Sequence, residues 1–145
     1  MNAVVEVHAP CRLHFGMFSF GHPDRAQFGG VGVMVEPPAV EMQILAASNF
    51  EAVGSSPDRT RQICERCAAS WKLDRLPLCK IEVHSPASHT GLGVGTQVGL
   101  AIAAGLRRLL QLPELSSAEL AQSTGRGLRS AVGRENARRA GNGIR

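Results

Sequence analysis

The sequence of 145 residues has no tyrosine, one tryptophan and five phenylalanines. Stacking platforms for bases are therefore scarce, which argues against a nucleic-acid role. No run of 18 apolar residues occurs, so no segment reads as a membrane-spanning helix. The opening "MNAVVEVHAPCR" has no basic stretch followed by an apolar core, so it does not read as a secretory signal. A cytoplasmic location is the default expectation, with neither membrane nor nucleic acid as partner. The four cysteines, Cys11, Cys64, Cys67 and Cys79, are then expected as reduced thiols. Cys64 and Cys67 have a ligand-like spacing, but further ligands at matching spacing are missing, although His84 and His89 follow Cys79. The pair also falls at i and i+3 of a helical pattern, where packing is the ordinary role.

The positive charge is confined. Arg134, Arg138, Arg139 and Arg145 against Glu135 give residues 134–145 a net +3 of the chain's +4, leaving +1 for the other 133 residues. The apolar fraction of 43% and the charged fraction of 19% fit a globular domain with one core.

Alternation predicts strands at "AVVEVHA", "RLHFGMFSF", "VGVMVE", "AVEMQILAA" and "LCKIEVHS". Pro10 interrupts the first two, and Pro37-Pro38 separates the third from the fourth. Leu13, Phe15, Met17 and Phe20 are expected on one face. "GHPDRAQFGG" and "SNFEAVGSSPD" read as loops. From Asp58, the recurrence of Ile63, Cys67 and Trp71 predicts a helix. "VGLAIAAGLRRLLQL" predicts a second, apolar on nearly all sides and stopped by Pro113. "SSAELAQSTGRGLRSAVG" predicts a third, capped by Ser116 or Ser117 and weakened by Gly125 and Gly127. After Gly133 the chain turns polar and reads as a disordered end. Adjacent strands followed by helices argue an α+β fold: a mixed or antiparallel sheet of about five strands packed by helices. Residues 1–133 are expected as the folded domain and 134–145 as a basic tail.

The densest signal is "HTGLGVGTQVGLA", residues His89 to Ala101, with glycine at 91, 93 and 95. Each glycine costs about 0.5–1 kcal/mol relative to alanine, so the stretch needs a backbone shape that side chains would block. One reading is an anion cradle. Backbone N–H groups of Gly91–Gly95 and the next helix N-terminus converge on a phosphate, with Thr90, Thr96 and Gln97 adding polar side chains. The other is a tight turn with close helix packing. No lysine follows in Walker fashion, and Thr96 stands where a dinucleotide fingerprint needs glycine. Arg12, His14 and His89 are the candidate acting side chains near such a cradle. On the residues alone, Arg12 also reads as a solvated strand residue and the histidines as hydrogen-bonded strand or loop residues.

Pro86 followed by Gly91-Leu92-Gly93, after a strand and before a buried helix, resembles the P-x-x-x-G-L-G-S-S-A motif of the GHMP kinase superfamily. "APCRLHFG", with Pro10, Arg12 and Gly16, resembles the first motif of that group. "RLHFGM", "FGGVGV", "GLGVGTQ" and "GRGLRSAVG" are similar to the beta-ribofuranosylaminobenzene 5'-phosphate synthase branch. The resemblance implies a GHMP-type N-terminal domain. It also implies joining 4-hydroxybenzoate or 4-aminobenzoate to phosphoribosyl pyrophosphate, with loss of carbon dioxide and pyrophosphate, on the way to methanopterin-type carriers. The phosphate-binding positions it implies are Thr90, Gly91, Leu92, Gly93, Val94, Gly95, Thr96 and Gln97. It further implies Mg2+, with Thr96 as a contact, and no tightly bound organic cofactor. Val94 and Gly95 stand where the kinases have two serines, and Met17 and Phe18 where they have carboxylates. An ATP-binding small-molecule kinase is the alternative reading. The third glycine-rich motif and second domain of the superfamily do not follow, so a truncated, inactive fragment is also an expectation. A homo-oligomer is left open.

Overall fold

The computed structural model describes residues 4–19, 21 and 28–125. Seven elements follow in order: β1 (Val4–Ser19), β2 (Phe28–Ala46), β3 (Glu51–Gly54), α1 (Pro57–Ser70), β4 (Cys79–His84), α2 (Val94–Leu109) and α3 (Ser117–Ser123). The sheet runs β1-β2-β4-β3, with β1/β2 and β2/β4 antiparallel and β3/β4 parallel. A parallel pair needs a crossover, and α1 supplies it between β3 and β4.

Alternation places Val5, Val7, Ala9 and Cys11 of β1 on one face with Val40, Met42 and Ile44 of β2 and Cys79, Ile81 and Val83 of β4. α1 adds Ile63, Cys64 and Cys67 to this core, and α2 adds Val98, Ile102 and Leu106. Burying a side chain such as Ile102 or Leu106 contributes about 1.5–3 kcal/mol. α2 is enclosed on almost every side because the sheet lies beneath it and α1 and α3 flank it. Leu100 meets Ala121 of α3, and Gly99 faces Thr124. Ser116 caps α3 in a reciprocal box: its hydroxyl accepts the Glu119 N–H, and the Glu119 carboxylate accepts from the Ser116 amide.

The α+β class stands, but the strands differ from the alternation reading. Five expected strands become four: two pairs fuse and one new strand appears. Pro10 does not break β1, which is an edge strand where a missing N–H is tolerated. Pro37-Pro38 does not break β2, because the register jumps from Pro10↔Ala39 to Cys11↔Val35. Glu36, Pro37 and Pro38 bulge out of the ladder, so neither proline owes it a donor. β3 lies inside the stretch read as loop.

α2 begins four residues before the apolar run, at Val94, and ends at Leu109 before Pro113 is reached. α3 stops at Ser123, where Gly125 takes a left-handed φ of 74°. The rest of that expected helix, residues 126–133, the tail 134–145, and Phe20 all lie outside the described residues.

All four cysteines are buried and free, as packing residues. Burial pushes the thiol of Cys67 up to about 12 and that of Cys79 up to about 11, from the ordinary 9.0. Burial, with Cys67 and Cys79 close by, raises Cys64 further still. These neutral thiols contribute their full stability below pH 9, and lose it as the pH rises through the folded values. Thermal melts should therefore fall steadily above pH 9. A thiol reagent at pH 8 should label the four only after denaturation; rapid labelling of the folded chain would contradict this packing.

Candidate anion-binding loop

β4 delivers the chain to the loop at a fixed point. Ser55 N–H donates to the Val83 carbonyl at 2.8 Å, and Ser85 N–H donates to Ser55 Oγ at 2.9 Å. After Pro86, the Thr90 hydroxyl donates to the Ala87 carbonyl at 3.0 Å and closes a turn. His89, Gly91 and Gly93 then take left-handed φ values of 66°, 77° and 62°. Arg12 N–H on the free edge of β1 donates to the Leu92 carbonyl at 2.9 Å, which ties the loop to the first strand.

Gly93 is the N-cap of α2. Its carbonyl accepts from Thr96 N–H at 3.0 Å and Gln97 N–H at 3.1 Å. The helix amides left to an outside acceptor are those of the first two positions, Val94 and Gly95. The Gln97 side chain is buried, with Oε1 lacking a partner among the described residues.

The Arg12 side chain lies beside Gly93: a Cβ built there would stand 3.8 Å from Arg12 Nε. Arg12 Nη1 is buried with no hydrogen-bond partner among the described residues. Burial also pulls its guanidinium down from the ordinary 12.5, though an arginine stays charged. A half-buried guanidinium with one unpaired nitrogen, close to a helix N-terminus, has the charge and the donors to accept an anion.

The residues expected at the site thus divide. Arg12 and the 91–95 backbone meet. His14 lies two residues along β1, half-buried and opposite Gly32. His89 is exposed on the loop. Leu13 is exposed together with its partner Val33 and with Val31 of β2, and Phe15, at the bulge between His14 and Gly16, is exposed as well. The side chains of Met17 and Phe18 lie outside the description.

A sheet covered on one face by α1 and α2, with a glycine loop leading into the buried helix, is a fold this chain shares with solved kinase structures. A protein described as a sugar kinase from Campylobacter jejuni matches at a TM-score of 0.67 and 12% identity, covering 84% of this chain and 44% of that one. Homoserine kinase from Cytophaga hutchinsonii matches at 0.56 and 14%, covering 83% and 39%. At the level of sequence, the chain is 28% identical over 137 residues to the beta-ribofuranosylphenol 5'-phosphate synthase of Archaeoglobus fulgidus. That match covers 90% of this chain and 41% of the relative's length. No family model matches the chain. No helix among the described residues is long and apolar enough to cross a membrane.

Proposed function

We propose that this chain provides the donor-binding part of a phosphoribosyl-transfer synthase that uses an aromatic acid. One observation supports the reading: Arg12, with Nη1 buried and unpaired, stands beside Gly93, the N-cap of α2 that precedes Val94 and Gly95. These groups suit the pyrophosphate of phosphoribosyl pyrophosphate. They stabilise the charge that grows on its oxygens as the bond to the ribose carbon breaks. The ring carbon bearing the carboxylate, in 4-hydroxybenzoate or 4-aminobenzoate, forms the new bond to that ribose carbon. The carboxylate then leaves as carbon dioxide and returns its bonding pair to the ring. His14 and His89 are the histidines nearest in sequence to the two halves of the site, and their proposed role is to move protons there.

The superfamily resemblance implies Mg2+. The loop residues do not fit a protein-held magnesium ion: residues 86–97 contain no Asp or Glu, and magnesium is ordinarily held by one or two carboxylates with substrate phosphates. No group of three or more His, Cys, Asp or Glu placed to hold a metal occurs among the described residues.

The kinase names of the structural neighbours keep an ATP-binding reading in view. Thermal melts with phosphoribosyl pyrophosphate and with ATP, each with and without Mg2+, separate the two. A ligand at 100 times its Kd stabilises by about 2.7 kcal/mol. Phosphoribosyl pyrophosphate is expected to raise the melting temperature by several degrees and ATP to leave it unchanged. A rise with ATP alone moves the reading to a kinase, and no rise with either removes both.

A further inference from the structure

Between α1, α2 and the end of α3 lies a cavity of about 440 Å³, the size of a small-molecule site. It shares no residue with the glycine loop 86–97. α1 supplies most of its wall. Arg59, Gln62, Ile63 and Arg66 follow one another at offsets of three, four and seven, so they occupy one face of that helix. Asp58 joins them from the first turn. Gly99 of α2 and Thr124, the C-cap of α3, complete the wall.

Unpaired charge is the first sign of a ligand. The ion pairs among the described residues belong to His8 and His84, so neither Arg59 nor Arg66 has a carboxylate partner there. Arg59 is half-buried and makes no hydrogen bond with a described residue. Arg66 makes one, from Nη1 to the Thr124 carbonyl at 3.4 Å, which is long for such a bond. Its stem lies against Gly125, where a Cβ would stand 3.3 Å from Cδ. Arg66 is thus held in place with most of its donors left over. Asp58 also lacks a hydrogen bond or ion pair with the described residues, so the acid and the two arginines do not satisfy one another.

Gly99 is the second sign. A glycine inside a helix is destabilising relative to alanine. Packing does not require it here, because a Cβ would meet the Thr124 side chain at 3.7 Å, an ordinary contact. Gly105, six residues on, is different: a Cβ there would stand 2.7 Å from Ile44 Cδ1. Both Gly99 and Thr124 line the cavity, so a methyl at position 99 would take up its space. The glycine keeps that space open.

We infer that this cavity binds an acidic α-amino acid. Arg59 and Arg66 are seven residues apart, about 10 Å along the helix axis. Each guanidinium fork takes one carboxylate through charge-assisted bonds, and the short carbon chain of the ligand bridges the interval. Asp58 takes the ammonium. Gln62, between the arginines in the helix, offers one donor group and one acceptor. Two arginines against one aspartate give the wall a net charge of +1. Two carboxylates and one ammonium give the ligand the opposite charge, so the complex is neutral. A plain dicarboxylate would leave Asp58 facing two like charges with no donor between them. The inference goes beyond the donor-binding reading and does not depend on it.

Titration calorimetry on the full chain tests this with L-aspartate, L-glutamate, succinate and inorganic phosphate, and circular dichroism confirms the fold of each variant. At least one of the two amino acids is expected to bind about tenfold more tightly than succinate, which lacks the ammonium, and than phosphate. Arg59→Ala should weaken that binding about tenfold, and Arg59→Lys should recover part of the loss. Asp58→Asn should erase the preference over succinate, a change that a purely structural role for Asp58 would not produce. Gly99→Ala should raise the melting temperature of the free chain and weaken binding about fivefold. If neither amino acid binds the unmodified chain, the inference is overturned. It is also overturned if Arg59→Ala and Gly99→Ala leave the affinity unchanged, or if succinate or phosphate binds as tightly as the amino acids. The donor reading survives each of these failures, because the cavity and the glycine loop have no residue in common.

Discussion

Gly93→Val is expected to abolish the stabilisation of the chain by phosphoribosyl pyrophosphate while leaving it folded. Gly93 sits at φ 62° and ψ 16°, a left-handed N-cap ahead of the two free amides. Space is not what forbids a side chain: a Cβ would lie 3.7 Å from Arg12 Cβ and its carbonyl oxygen, an ordinary contact. The backbone angle forbids it. Holding an L residue there costs about 1–2 kcal/mol, with a β-branched residue at the unfavourable end. The chain relieves that strain by rotating Gly93 toward the right-handed region. The Leu92 carbonyl then turns away from Arg12 N–H, and the Gly93 carbonyl loses Thr96 and Gln97. The amides of Val94 and Gly95 swing off the line set by Arg12. The expected result is a stability loss of about 2 kcal/mol and a donor affinity weakened about a hundredfold, which corresponds to about 2.8 kcal/mol of binding energy. Gly93→Asn is the informative companion, because asparagine adopts left-handed angles at lower cost. It should keep most of the stability and a larger share of the affinity. A folded valine variant with unchanged donor affinity would remove the cradle.

Where a residue's role depends on its near neighbours, the sequence carried it well. Val5 and Val7, and Ile81 and Val83, alternate as strands must, and Ile63 and Cys67 are buried on one side of α1, with Trp71 at its C-cap packed against the same core. Ser116 or Ser117 reads as the cap of α3, and the structure selects Ser116, with Glu119 closing the reciprocal box. Roles set by distant partners were not legible. Pro10 and Pro37-Pro38 look like breaks until β1 is known to be an edge and the bulge to lie opposite it. β3 has four residues and no alternation, and its partner β4 lies beyond a whole helix. The site divides the same way. The glycines and Arg12 mark the proposed anion loop. That the Gly93 carbonyl takes the amides of Thr96 and Gln97 depends on where α2 begins, four residues ahead of its apolar run. Leu13 and Phe15 alternate as a core face would. In the fold both stand exposed, and no local signal announces it.

Gly54→Ala is expected to be the most damaging single methyl in the described chain, although Gly54 is far from any proposed chemistry. Here space and angle act together. Gly54 has φ 98°, and a Cβ would stand 2.1 Å from the Val83 carbonyl oxygen and 2.9 Å from its carbon. Both atoms are backbone in the middle of the sheet, so no rotamer change relieves the overlap. β3 must move off β4. That breaks the short parallel ladder in which Gly54 sits opposite Val83, and with it the bond from Ser55 N–H to the Val83 carbonyl. Each lost hydrogen bond costs about 1 kcal/mol and the angle about 1–2 more. The expected loss is about 3–5 kcal/mol from a domain that has about 5–15 in all, with a melting temperature lower by about 10 °C or more. Gly16→Ala is the control, since a Cβ there meets nothing within 4 Å, and its melt should stay within a degree or two of the unmodified chain. The damage also travels. Ser85, held by Ser55 Oγ, is the last residue before Pro86 and the glycine loop, so displacing β3 frees the loop at its root. Donor affinity in whatever fraction of Gly54→Ala stays folded should therefore fall as well. A variant that melts within about 1 kcal/mol of the unmodified chain would mean that β3 is not held against β4 as the register requires. The anchoring of the loop would then rest on the Arg12–Leu92 bond alone.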